Sequence, residues 1–113
     1  MRRGDVVEVD WLYTDMSGSK VRPAVVVQGD FLNHLIDDTI LVQITGSQFG
    51  IPGTEVLLDP AVETVSGLSK ICVAACMNIT QFDQVQIIRR IGHLSDEAME
   101  KVEECLRKVM EIR

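Results

Sequence analysis

Arg22-Pro23-Ala24-Val25-Val26-Val27 is the stretch that decides the fold. Its second half is a continuous, mostly β-branched run, which suits a strand covered on both faces. Proline fits the first residue of such a strand, where its missing N–H matters least. Upstream, Thr14 to Ser19 is polar and rich in turn residues, and reads as a loop. Before that loop, Asp5 to Trp11 alternates, with Val7, Val9 and Trp11 on one side and Glu8 and Asp10 on the other, as a half-buried strand does. Downstream, Gly29-Asp30 ends the run, and Phe31 to Asp38 holds either one helical turn or an irregular loop.

Further strands follow at short intervals. Thr39 to Ile44 places Ile40, Val42 and Ile44 on one side, and Gly46 to Gly53 is a glycine-rich segment expected to be mobile. Glu55 to Leu58 is a short strand closed by Asp59-Pro60. Ser69 to Met77 is apolar with small residues, as a buried strand would be, and Gln84-Val85-Gln86-Ile87 alternates again. The end differs in kind. Ser95 is a good N-cap, Asp96 and Glu97 favour the positive end of a helix, and Leu94 can staple onto Met99. Met99, Val102, Leu106 and Val109 form a helical stripe, flanked by the i,i+4 pairs Glu97–Lys101, Glu103–Arg107 and Glu104–Lys108. The expected fold is α+β and mainly β: a curled sheet with one C-terminal amphipathic helix.

Length and composition agree with one domain over 1–113. A chain of 113 residues with 46% hydrophobic content can bury a real core. Five aromatic residues leave that core aliphatic. No apolar run approaches the ~20 residues of a membrane span, and the start lacks a signal-like apolar stretch, so the expected location is the cytoplasm. Three cysteines without CxxC spacing and two histidines without ligand spacing predict neither a disulfide framework nor a metal site. The net charge of −6 disfavours extended nucleic-acid binding but leaves room for a local basic groove.

In this layout several segments resemble the MazF/PemK/Kid toxin family. Arg3-Gly4-Asp5-Val6-Val7 is similar to the family's opening, and Arg22-Pro23-Ala24-Val25-Val26-Val27 to its RPvlVv strand. Ile44-Thr45-Gly46-Ser47 resembles the iTs segment, Gly67-Leu68-Ser69-Lys70 the gl.k stretch, and Ile79-Thr80-Gln81-Phe82-Asp83 the irtid stretch. Ile91-Gly92-His93-Leu94-Ser95 matches iG.Ls, and the last helix follows. Each motif alone is weak, but the ordered set spans nearly the whole chain. The resemblance implies a small SH3-like, PemK-type β-barrel and a homodimer. It also implies cleavage of single-stranded RNA at short sequences, and a cognate antitoxin as inhibitor. No cofactor is implied.

Cleaving RNA without a metal requires a base for the 2′-OH, a donor for the crowded phosphate and an acid for the departing 5′-oxygen. The resemblance assigns the catalytic positions to Arg22 and Thr45. A guanidinium can fork two donors onto phosphate oxygens, and a hydroxyl can add a third. Lys20, Gln43, Ser47 and Asn78 are the expected RNA-binding residues, and Gln28 and Gln48 would extend the same polar groove, although glutamines in such places are more often ordinary outward-facing strand residues. Taken alone, an arginine before a strand is more often a solvated residue, and a threonine at a strand end a local hydrogen-bonder.

The chain also departs from the family pattern. Met77-Asn78 stands where relatives carry an acid and a glutamine, and Ala75 where the Kid branch has an arginine. Met16 falls where that branch has a histidine, and Thr80 replaces the irtid arginine. His34 and His93 are expected to be structural or solvated, and Cys76 is not expected to be a nucleophile, since its apolar neighbours should raise its pKa. Two alternatives follow: a catalytically weakened dimeric binding protein of the same fold, or a gyrase poison like CcdB. Val109-Met110-Glu111-Ile112-Arg113 lacks the tryptophan-bearing tail associated with the latter.

Overall fold

A computed structural model describes residues 1–46 and 50–113. Strands β1 (Asp5–Leu12), β2 (Ser19–Val26), β3 (Asp38–Thr45), β4 (Glu55–Leu58), β5 (Cys72–Asp83) and β6 (Arg89–His93) form one antiparallel sheet in the order β4-β5-β3-β2-β1-β6. A single turn, α1 (Asp30–Asn33), separates β2 from β3, and α2 (Asp96–Met110) closes the described fold. Ser47, Gln48 and Phe49, the centre of the expected mobile segment, lie outside the described residues.

The alternation of β1 and β2 sorts side chains onto two faces. Val6, Val25, Val42 and Ile44 meet Ala98, Met99, Val102 and Cys105 of α2 in one core. Val7, Val9, Trp11, Ala24, Val26 and Leu41 form a second core on the opposite face, where the Trp11 and Phe82 rings stand 5.6 Å apart. The valine run is therefore covered on both faces, as its composition predicts. Each fully buried Val or Leu contributes about 1.5–3 kcal/mol. The Glu103–Arg107 ion pair on the helix surface, at 2.7 Å, contributes below about 1 kcal/mol, so packing of the apolar stripe holds α2 in place. It alone of the three expected i,i+4 pairs is formed among the described residues.

Three elements differ from expectation. β5 begins three residues later than expected and runs on to Asp83, because it can follow β3 only by means of a large bulge. Val42 pairs with Ile79 but Gln43 with Ala75, leaving Cys76, Met77 and Asn78 without opposite residues. These extra residues bend the strand, and the Cys76 amide turns to the Thr54 carbonyl at 3.0 Å. Gln84–Gln86 is a 3-10 turn rather than a strand. The Asp83 carboxylate accepts from the Val85 amide at 3.0 Å and ends the ladder. β6 has little apolar alternation to announce it, being an edge strand with arginines at its first two positions. Ile40 is half-buried and stands outside the core that holds Val42 and Ile44.

The sheet curls into a half-barrel whose edge strands do not pair with each other. The segment after β4 bridges the gap. The His93 amide donates to the Val65 carbonyl at 2.9 Å. Buried Glu63 accepts from the Ser95 amide and hydroxyl, both at 2.7 Å, while the Ser95 hydroxyl oxygen caps α2 by accepting from Ala98 N–H at 3.1 Å. Backbone contact at this seam is so close that a Cβ on Gly92 would lie 2.2 Å from the Ser66 carbonyl carbon. Gly92→Ala is therefore expected to destabilise the fold by about 3 kcal/mol or more, lowering Tm by over about 10 °C in thermal unfolding followed by circular dichroism. An unchanged Tm would show that the seam does not hold the barrel closed.

Candidate functional site

The β2–β3 ladder is short. Only Ala24, Val25 and Val26 pair with Gln43, Val42 and Leu41. The next residue toward the start of β2 is Pro23, which has no N–H to donate, and there the strands part. Between them opens a cleft of about 150 Å³, lined by Arg22, Pro23, Ile44 and Thr45 with Lys20 and Lys70. Arg22 and Thr45, the expected catalytic pair, are brought together across it: the Arg22 Nη1 donates to the Thr45 Oγ1 at 3.5 Å.

Unpaired cations gather at this cleft. Arg3, Arg90 and Arg107 lie 3.4, 3.0 and 2.7 Å from carboxylates, and Arg89 is paired with Glu8. Lys20, Arg22 and Lys70 have no carboxylate partner among the described residues, and no acidic residue lines their cleft. Three cations converging in a chain of net charge −6 form a site for an anion. Lys70 was not among the expected binding residues. It belongs to the gl.k segment, but its place beside Gly46 depends on how the 59–71 segment folds back.

Arg22 also lines a second, larger cavity of about 450 Å³, walled by Trp11, Tyr13, Met16, Gln43, Met77, Asn78 and Thr80. The β5 bulge carries Met77 and Asn78 into this wall. Asn78 Nδ2 donates to Gln43 Oε1 at 2.8 Å, so these two expected residues act as one amide pair in the cavity rather than in the cleft. Met16, Met77, Asn78 and Thr80, four of the five departures from the family pattern, line this one cavity. The fifth, Ala75, is buried in the sheet. Arg22 is the one residue in the cavity wall that is charged at neutral pH.

The other candidates are placed elsewhere. Ser47 lies outside the described residues, as does Gln48. Gln28 is buried, donating to Asn33 Oδ1 and the Asp38 carbonyl, and is not part of a groove. His34 is exposed after α1. His93 Nδ1 lies 3.0 Å from Asp5 Oδ1, at the far edge of the sheet. Burial pushes the Cys76 thiol up to about 12, with Cys105 beside it adding to the shift, so Cys76 is no nucleophile. Among the described residues no group of three or more His, Cys, Asp or Glu side chains is placed to hold a metal. Nor is any described helix long and apolar enough to cross a membrane.

Fold and cleft together define a small half-barrel with an anion-accepting site where its central strands diverge. The chain belongs to the PemK-like, MazF-like toxins of type II toxin–antitoxin systems, whose family model matches residues 2–110. Solved structures share the fold. An endoribonuclease in complex with its cognate antitoxin, from a mycobacterial species, superposes with a TM-score of 0.81 at 19% identity, covering 100% of this chain and 97% of that one. A Mycobacterium tuberculosis MazF toxin gives 0.75 at 20% identity, over 96% and 98% of the two chains. MazE–MazF from Deinococcus radiodurans gives 0.76 at 16% identity, over 100% and 98%. No curated protein matches the chain by sequence.

The Asp5–His93 contact yields a pH prediction. Burial alone would raise the Asp5 pKa, but the Arg2 amide at 2.9 Å, His93 and Arg90 outweigh it and hold the carboxyl below its ordinary value. A carboxyl depressed on folding adds stability that is complete above its unfolded pKa and is lost as pH falls through the folded one. Asp5→Asn is expected to cost about 2–3 kcal/mol at neutral pH, the difference from wild type narrowing below about pH 4. Urea unfolding across that range measures it, and a constant difference would mean that Asp5 acts through packing alone.

Proposed function

We propose that this protein is an endoribonuclease that cuts single-stranded RNA by attack of the 2′-OH on the adjacent phosphorus. The 5′-oxygen departs, leaving a 2′,3′-cyclic phosphate and a 5′-hydroxyl. One observation carries the reading: Arg22 and Thr45 face each other across a cleft whose unpaired cations have no acidic neighbour. The reacting phosphate sits there, with the Arg22 fork and the Thr45 hydroxyl on its non-bridging oxygens and Lys20 on the flanking backbone. The nucleophile is the substrate's own hydroxyl, so no cofactor is required.

The cavity beside Arg22 takes a base next to the cut. Its aromatic walls and its neutral amide pair, Gln43–Asn78, suit a planar heterocycle that offers adjacent donor and acceptor groups. A homodimer and a cognate antitoxin belong to this reading, since the fold is shared with an endoribonuclease solved with its antitoxin and with MazE–MazF. The cytoplasm is the compartment where such a substrate is met.

No histidine or carboxylate lines the cleft or the cavity. Solvent hydroxide therefore takes the 2′-OH proton and water protonates the departing 5′-oxygen, while charge stabilisation carries the catalysis. The rate is expected to rise steadily with pH, without the inflection near 6.5 that a histidine base would impose. Arg22→Ala is expected to lower cleavage by about 10²–10³-fold and Thr45→Val by about tenfold. The test is incubation of a long single-stranded RNA in EDTA at several pH values, followed by end-group analysis. Cleavage that survives Arg22→Ala would sink the assignment.

The neutral cavity favours a second reading, a weakened relative that binds without cutting. Wild type that leaves RNA intact at high concentration, while Met77→Asp with Asn78→Gln cleaves it, would establish that reading.

A further inference from the structure

The cationic cleft does not end at Arg22. Lys70 and Pro23 are walls both of that cleft and of a neighbouring groove of about 540 Å³, which runs on past Ser69 to Arg89 and Arg90 of the edge strand β6. Sheet register explains the continuity. Glu8 of β1 is paired with Pro23 on one side and Arg89 on the other, so Arg89, Glu8 and Pro23 form a row across three adjacent strands on one face. Two strand spacings, about 10 Å, separate its ends. The groove thus begins at the residue next to Arg22 and ends at a pair of arginines.

Those arginines are tethered but not used up. Arg89 binds Glu8 through Nε, and Arg90 binds Asp5 Oδ1 through Nε at 3.0 Å. A guanidinium has five N–H donors, so both keep their terminal amino groups for another acceptor. The two carboxylates hold the guanidinium orientation without occupying those groups. Both side chains are more than half exposed, at 68% and 51%. Glu8 is the one acidic residue in the groove wall, and Arg89 already occupies it.

We propose that this groove is the track of the substrate strand beyond the cut: Lys70 holds the phosphate next to the one at Arg22, and the terminal amino groups of Arg89, on the same face as Glu8 and Pro23, hold the phosphate after it. The proposal rests on the ribonuclease reading of the cleft and adds to it the direction in which the strand leaves. The track explains how a protein of net charge −6 can grip a polyanion: the cations are aligned rather than numerous.

Binding of a non-cleavable probe tests the track. Fluorescence anisotropy of an all-deoxy single strand of about ten nucleotides, and of a trinucleotide, is measured against salt for wild type, Arg22→Ala, Lys70→Gln and Arg89→Gln, with Lys101→Gln on the exposed face of α2 as control. Lys70 and Arg89 are both exposed, so the variants keep the fold. Arg22→Ala and Lys70→Gln are expected to weaken both probes by about five- to twentyfold, and Arg89→Gln the longer probe alone. Each lost phosphate contact should reduce the slope of log affinity against log salt by about 0.7. If Arg22→Ala weakens binding while Lys70→Gln and Arg89→Gln match wild type, the track is wrong and the ribonuclease site stands. If no variant differs from wild type, or wild type binds neither probe, the reading of the cleft itself fails and takes the track with it.

Discussion

A proline has no amide hydrogen, and the position of that one missing donor in β2 shapes everything that follows. Up to Ala24 the strand is paired on both sides and buried on both faces, so it cannot move. At Pro23 the ladder to β3 stops while the ladder to β1 continues, Pro23 facing Glu8 and Arg22 facing Val9. β2 therefore stays attached to its neighbour on one side and peels away on the other. The cleft is the space this leaves, and Arg22 stands at its mouth because it is the next residue.

Charge then decides what the cleft can hold. Most arginines of this acidic chain are matched to carboxylates, which leaves their surroundings close to neutral. The cations of the cleft are left unmatched, and mutual repulsion among them is a cost that a bound anion relieves. The adjoining cavity follows the opposite rule. Met16, Met77 and Thr80 stand where the family pattern places groups able to carry charge, and with Asn78 the result is a wall of amides, aromatics and thioethers. Arg22 belongs to both spaces, so a ligand with one charged group and one planar neutral group fits the pair better than either alone.

The remainder of the molecule keeps these two walls at the right separation. The bulge at Cys76–Asn78 turns β5 into the cavity, and the burial of Cys76 against Val102 of α2 anchors the bend from behind. The segment between β4 and β5 closes the half-barrel against β6 through backbone contacts that tolerate no side chain at Gly67 or Gly92. Asp5 and Glu63 secure the same seam from either side, one binding Arg90 and His93 of β6, the other Ser95, the N-cap of α2. Lys70 reaches the cleft because it ends that closing segment.

Local pattern alone determined the valine strand covered on both faces, the half-buried β1, the short β4 and the capped amphipathic helix, because side-chain periodicity and capping are properties of adjacent residues. The ordered motifs placed Arg22 and Thr45 in one site without showing how they meet. Only the tertiary structure decided the rest. The length of β5 depends on a bulge that compensates a mismatch with β3, and β6 is a strand because an edge is offered to it rather than because its residues alternate. Gln28 looked like groove-lining polarity and is a buried structural amide, since the turn at Asn33 folds back over it. The cleft gathers residues 20–22, 44–46 and 70, and proximity across such separations is set by register and by the closing segment, which no local reading of the chain contains.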